Sequence, residues 1–224
     1  MQHDAGMTTI TLSFDNGPDP AVTPQVLDTL ARHAVKATFF VIGQKLETAD
    51  GQVLIARARR EGHWVGNHTY SHSIPLGKLD GAAGVAEISR TEALIGRYGQ
   101  SPPLFRPYGE GGILDDRVLS PAAVTHLCAS GYTCISWNAI PRDWDDPAGW
   151  VETALGQIMA QDETLMVLHD IPTGAMDRLD AFLMRAKALG ATFAQEFPVS
   201  CRLITAGKPS ANLGQFTALA PAAG

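Results

Sequence analysis

Hydrophobic and polar positions along the chain alternate between two periods. Short runs rich in β-branched and aromatic residues recur: "TITLSF" from Thr9, "ATFFVIG" from Ala37, "HWVGNHT" from His63, "LFRPYG" from Leu104, "YTCISWNAI" from Tyr132, "TLMVLHD" from Thr164 and "ATFAQEF" from Ala191. Each has the length and composition of a strand. Between them lie segments with helical spacing of apolar residues: 23–34, 51–62, 84–99, 120–131, 146–160 and 175–190. Most open after Ser, Thr, Asp or Gly and close at Gly or a polar break, as helix caps require. Seven strands alternating with six helices predict an α/β chain with a largely parallel sheet, either open and doubly wound or rolled into an incomplete barrel.

Polar residues gather where the predicted strands end: Asp15, Asn67 and His68, Arg106, Asn138, then His169 and Asp170. In both parallel architectures a ligand site forms at the C-terminal ends of the strands, so these positions are expected to converge.

Composition narrows this picture. The 224 residues, 45% hydrophobic, suffice for one core and one domain, expected over 1–207. The remainder, 208–224, is rich in Ala, Pro and Gly and is expected to be a loose tail. A net charge of -6 with scattered Lys and Arg argues against a nucleic-acid partner. Neither a signal peptide nor an apolar run of membrane-spanning length is visible, which predicts a cytoplasmic protein with no membrane partner. Three cysteines without a CxxC pair give no basis for a disulfide framework or a structural zinc knot.

Two stretches carry the chemistry. "SFDNGPDP" ends a strand on the carboxylate of Asp15, and "GNHTYSH" places His68 and His72 four residues apart, where one helical turn would bring both imidazoles to one side. Paired histidines at that spacing suit Zn²⁺, Co²⁺ or Ni²⁺. Together with "FRPYGEGG", "SWNAIPRDW" and "MVLHD", in that order, these stretches resemble the motifs of the polysaccharide deacetylases, carbohydrate esterase family 4, with its NodB homology domain. The similarity runs over residues 9 to about 197.

The resemblance implies a distorted (β/α)7 barrel, one divalent ion, zinc foremost, and hydrolysis of the acetyl amide of an N-acetylated amino sugar, oligosaccharide or other small amide. It implies Asp15 as general base, Arg106 as the residue orienting it, and His169 as the acid that protonates the departing amine. Asn16, His68 and His72 fall at the metal-ligand positions, and Tyr108, Trp144 and Val167 at positions that wall the substrate groove. The residue types suit the reaction: amide hydrolysis needs an activated water, a stabilised oxyanion and a proton for the leaving nitrogen.

Three positions depart from the family pattern. Asn16 stands where the family has a carboxylate ligand, so metal is expected to bind weakly or with altered preference. In the fourth motif the family has an Asp three residues before its DW that pairs with the catalytic histidine; here that place holds Ile140, which predicts a His169 without its carboxylate partner. Asn138 is then the candidate to orient the ring. "RPYG" is a short form of the third motif. Two functions follow: a metal-dependent amidohydrolase with a retuned site, or a catalytically degenerate carbohydrate-binding relative with a weak or empty metal site.

Overall fold

A computed structural model describes residues 8–219. Seven strands run parallel: β1 (Thr9–Asp15), β2 (Thr38–Val41), β3 (Trp64–Asn67), β4 (Leu104–Phe105), β5 (Thr133–Ile135), β6 (Glu163–His169) and β7 (Thr192–Ala194). The sheet runs β6-β1-β2-β3-β4-β5, and β7 shares the edge of β1 below β2. The chain beyond β5 then returns to β6. Asn138 and Ala139 donate their N–H groups to Leu165 O, and Val167 N–H donates to Ala139 O, which rolls the sheet into a distorted (β/α)7 barrel.

Six helices cover the outside: α1 (Thr23–Arg32), α2 (Ala49–Arg60), α3 (Gly81–Ile95), α4 (Pro121–Ala129), α5 (Trp150–Met159) and α6 (Leu179–Ala188). Thr48, Asp80 and Ser120 cap α2, α3 and α4 by accepting N–H bonds from Gly51, Ala83 and Ala123. Among the described residues no helix is long and apolar enough to cross a membrane.

The two-residue period of β1 explains where the site lies. Ile10, Leu12 and Phe14 join the helix-facing core with Val26, Leu30, Met166 and Phe182. Thr11, Ser13 and Asp15 alternate with them and turn into the barrel. The barrel is plugged by Phe40, Leu104, Ile135, Leu165, Phe197 and Cys201. Above this plug sit the polar residues, at the upper ends of the strands.

The structure revises three sequence expectations. The long strand expected at 132–140 is only Thr133–Ile135, because the chain must leave the sheet at Ser136 to reach β6. An antiparallel hairpin, β8 (Arg202–Thr205) and β9 (Lys208–Pro209), extends the sheet from β5. The boundary expected at 207 therefore falls within a hairpin turn, and 208–219 is packed chain: Leu213 is buried, and Ala218 N–H donates to Leu119 O. Residues 1–7 and 220–224 of the expected domain and tail lie outside the described residues.

Candidate active site

Asp15 closes β1 and His169 closes β6, and the two are directly paired in register, so neighbouring parallel strands deliver both to one rim. Asn67 at the end of β3 pairs with Phe105 of β4 in the same way, which brings His68 and Arg106 beside them. A pocket of about 210 Å³ opens there, lined by Asp15, Asn16, His68, His72, Tyr108, Trp144, Val167 and His169, together with Trp137 and Ile140. All the expected site residues except Arg106 therefore line one cavity, and Arg106 lies beneath it, fully buried.

Arg106 is held on every side. Its guanidinium lies 4.2 Å from the centre of the Phe40 ring and donates to Ser136 O at 3.1 Å and Ser13 Oγ at 2.6 Å. The same Nη1 donates to Asp15 Oδ1 at 2.9 Å. A charge-assisted bond to one carboxylate oxygen fixes the other, and Asp15 Oδ2 faces His68 Nε2 at 3.6 Å.

His68 donates from Nδ1 to Arg106 O at 2.8 Å, which leaves the lone pair of Nε2 directed at the site. Burial holds its pKa below the usual histidine value despite Asp15. His72 is pushed down to about 2, by burial and then by His68 and His169. Burial thus favours the neutral form of both rings, whose centres are 4.7 Å apart. They do not share a helical turn: the chain from 68 to 72 is a loop with left-handed residues at Thr69 and His72, φ 68° and 52°. The Tyr108 ring lies tilted at 42° against His72, the ring centres 3.9 Å apart.

Asn16 is also left-handed, φ 72°, a conformation that Asn and Asp adopt more readily than other side chains. Among the described residues its buried Oδ1 has no hydrogen-bond partner. An unpaired buried acceptor is costly unless a cation or donor satisfies it. Among the described residues no three His, Cys, Asp or Glu side chains are grouped to hold an ion; in the pocket lining, the Asn16 amide oxygen is a further lone-pair donor available beside His68 and His72. Two neutral imidazoles, a bare carbonyl oxygen and a nearby carboxylate form a lone-pair-rich set that fits a divalent cation.

The expectation for His169 is corrected. Its partner is Asp143, the carboxylate of the DW pair itself: Oδ1 accepts Nδ1–H at 2.8 Å and Oδ2 accepts the backbone N–H of His169 at 2.9 Å. Burial would lower the pKa of His169, but the hydrogen bond and charge of Asp143, helped by Asp15 and Asp170, raise it overall. Ile140 instead walls the pocket beside Trp144. Both press on Gly112, where an added Cβ would lie 3.0 Å from Ile140 Cδ1 and 3.3 Å from Trp144 Cη2. Asn138 does not touch His169; it staples the barrel seam through Leu165 N–H and Glu163 O. Trp144 stands edge-on to His169 at 4.7 Å.

Asp170 points away from His169, as strand alternation predicts. It is fully buried and accepts from Thr23 Oγ1 at 2.5 Å, and burial pushes its pKa up to about 7. Its carboxylate occupies the place where a side chain on Gly17 would be, 2.1 Å from an ideal Cβ, which explains the glycine after Asn16. Sequence reading missed Asp143, Trp137 and Ser13. Asp143 was visible as the only acidic residue of "IPRDW", directly before a groove-wall tryptophan; Ser13 carried no signal beyond strand alternation.

Known proteins show the same arrangement of chain. The polysaccharide deacetylase family model matches residues 2–125. A peptidoglycan-N-acetylglucosamine deacetylase of Bacillus cereus is 34% identical over 184 residues, covering 80% of this chain and 79% of its own. A chitooligosaccharide deacetylase of Sinorhizobium fredii is 35% identical over 169 residues, covering 74% and 73%. A crystal structure of a peptidoglycan N-acetylglucosamine deacetylase superposes with a TM-score of 0.69 at 30% identity, over 85% of this chain and 86% of that one. With its barrel and five motif segments meeting at one pocket, the chain belongs to the polysaccharide deacetylase family.

Proposed function

We propose that the protein is a divalent-metal-dependent hydrolase that removes the acetyl group from an N-acetylated amino sugar or oligosaccharide. The observation that carries this reading is the pair of opposed proton carriers on one rim: Asp15, anchored by Arg106, and His169, anchored by Asp143. A binding surface has no need for a carboxylate and an imidazole, each buried and individually braced, facing one cavity.

Asn16, His68 and His72 are the residues that would hold the ion. When bound, it would polarise the acetyl carbonyl and lower the pKa of a water molecule. Asp15, through Oδ2, the oxygen that Arg106 leaves free, accepts the proton of a water in the pocket as the water oxygen bonds to the acetyl carbon. Its negative charge is kept in place by a partner that cannot lose its proton. His169, with Nδ1 tied to Asp143, has only Nε2 for the pocket and delivers a proton there to the amine as the C–N bond breaks. Asp143 stabilises the protonated ring and fixes its orientation. Val167, Ile140 and Trp144 supply the apolar wall for the acetyl methyl and a sugar face, and Tyr108 closes the side of His72.

Asn16 favours a second reading, a sugar-binding relative that has lost its metal, because an amide oxygen brings no negative charge to the ion. One experiment separates the two. Purified protein is freed of metal, reloaded with Zn²⁺, Co²⁺ or Ni²⁺, and assayed for acetate release from chitotetraose and from peptidoglycan fragments. The hydrolase reading expects metal-dependent acetate, lost in Asp15→Asn and His169→Ala. Sugar binding without acetate release under any metal establishes the second reading, and acetate release that persists in metal-free protein overturns metal dependence.

A further inference from the structure

The turn that carries His72 has no regular structure of its own, and it contains two residues in the left-handed region, Thr69 and His72. A β-branched threonine rarely adopts that conformation unless its surroundings impose it. The surroundings here are two-sided. From below, Gly43 and Gln44 donate their N–H groups to Thr69 O and Tyr70 O, both at 3.0 Å. From above, a single carboxylate oxygen of Glu87, on α3, accepts the consecutive N–H groups of Tyr70 at 2.9 Å and Ser71 at 2.8 Å. Successive N–H groups turned towards one anion form a strong, directional clasp.

Glu87 is well placed to transmit the rigidity of the core. Its neighbour Ile88 is fully buried, and Ile88 O accepts from Asn67 Nδ2 at 2.8 Å, so α3 is tied to the end of β3 just before His68. Asn67 Oδ1 accepts from Thr69 N–H at 3.0 Å, and His72 N–H donates to Thr69 Oγ1 at 3.2 Å. Arg90, one turn further along α3, lies 3.6 Å over the Tyr70 ring and pairs with Glu47 at 2.7 Å. Both histidines are thus referred to one helix, His68 through Asn67 and His72 through Glu87.

We propose that Glu87 is a positioning residue: its carboxylate fixes the turn that carries His72 and so sets the affinity of the two-histidine site for a divalent cation. This rests on the metal reading above. Glu87 lies 15 residues beyond His72 in the sequence and outside the motif segments that carry the family resemblance.

The test uses the full chain with two readouts, Zn²⁺ affinity by calorimetry and amide hydrogen exchange. Glu87→Ala should speed exchange at Tyr70 and Ser71 about tenfold or more, leave the β1 amides protected, and weaken Zn²⁺ binding about tenfold or more. Glu87→Gln keeps a carbonyl oxygen able to accept both bonds, and should stay within about threefold of wild type on both readouts. Glu87→Met retains the stem without the acceptors and is read like the alanine variant, which covers the case in which alanine unfolds the helix contact. Wild-type exchange at Tyr70 and Ser71 in the alanine or methionine variant would overturn the clasp. Fast exchange with unchanged Zn²⁺ affinity would overturn its link to the metal histidines. A wild-type protein that takes up no Zn²⁺ would instead overturn the metal reading, whatever the exchange shows.

Discussion

Replacing Asp143 by Asn tests the proton-delivery arm of the site most directly. The two oxygens of Asp143 accept from two donors on the same residue, the ring Nδ1–H and the backbone N–H of His169. An asparagine offers one acceptor and one donor in the same volume. The backbone N–H cannot change role, so the amide oxygen must take the Oδ2 place and the NH₂ group must face Nδ1. Nδ1 then has to accept, the ring proton moves to Nε2, and the imidazolium loses its counter-charge. A hydrogen bond to a charged group is worth about 1.5–3 kcal/mol, or roughly 10- to 150-fold in rate. General acid catalysis as a whole contributes about 10²- to 10⁴-fold. Acetate release from chitotetraose should therefore fall about 10²- to 10⁴-fold. Hydrolysis of p-nitrophenyl acetate, whose leaving phenolate needs no proton, should fall by less than about tenfold.

The pH dependence has a definite sign. Asp143 raises the pKa of His169, so wild type keeps its acid form to higher pH, and removing the charge should move the basic limb of the rate profile to lower pH. Equal losses on amide and ester, or an unmoved basic limb in a folded variant, would refute the assignment of His169 as acid.

Other perturbations probe other parts of the site. Asn16→Asp adds a charge at the proposed ligand position and should tighten Zn²⁺ binding about tenfold, about 1.4 kcal/mol by calorimetry; equal affinity would show that residue 16 does not face the ion. Gly17→Ala places a Cβ 2.1 Å from Asp170 Oδ2. It should cost about 1–3 kcal/mol in urea unfolding, with partial recovery in Gly17→Ala/Asp170→Ala. His63 is buried and its Nδ1 accepts from Ala37 N–H at 3.1 Å, and burial holds its pKa at about 4. Because that folded value is depressed, its contribution to stability is complete above pH 6.5 and is lost as pH falls towards 4, at about 1.4 kcal/mol per pH unit. Asp170 titrates in the opposite sense, so the measurement is the difference between wild type and His63→Gln from pH 7 to 4.5; a constant difference would contradict it.

Much of the site was legible in the chain because it is local. Strand alternation and strand ends placed Asp15, His68, Arg106 and His169 on one rim, and in a parallel barrel the register of neighbouring strands turns such positions into neighbours. Tyr108 and Trp144 came instead from the family resemblance, and Val167 from lying two residues before His169 on the same strand face; all three line the pocket. The misplaced partner of His169 shows the limit of counting. Motif spacing pointed to Ile140, whereas the chain between Ser136 and Asp145 leaves the sheet to close the barrel on β6. Which side chain of that segment meets His169 depends on the path of the closure, with Arg142 left-handed at φ 59° just before Asp143.

The sequence by itself determined the α/β alternation, the parallel rim and the residue types available for amide hydrolysis, since these follow from periodicity and from side-chain chemistry. Tertiary structure alone decided that Asp143 and not Asn138 braces His169, and that Asp170 forbids a side chain at residue 17. It also decided that α3 reaches back to hold the His72 turn, and that 208–219 packs against the barrel. Each of these is a contact between segments far apart in the chain or on irregular backbone. No periodicity records such contacts, and their partners are chosen by how the barrel closes.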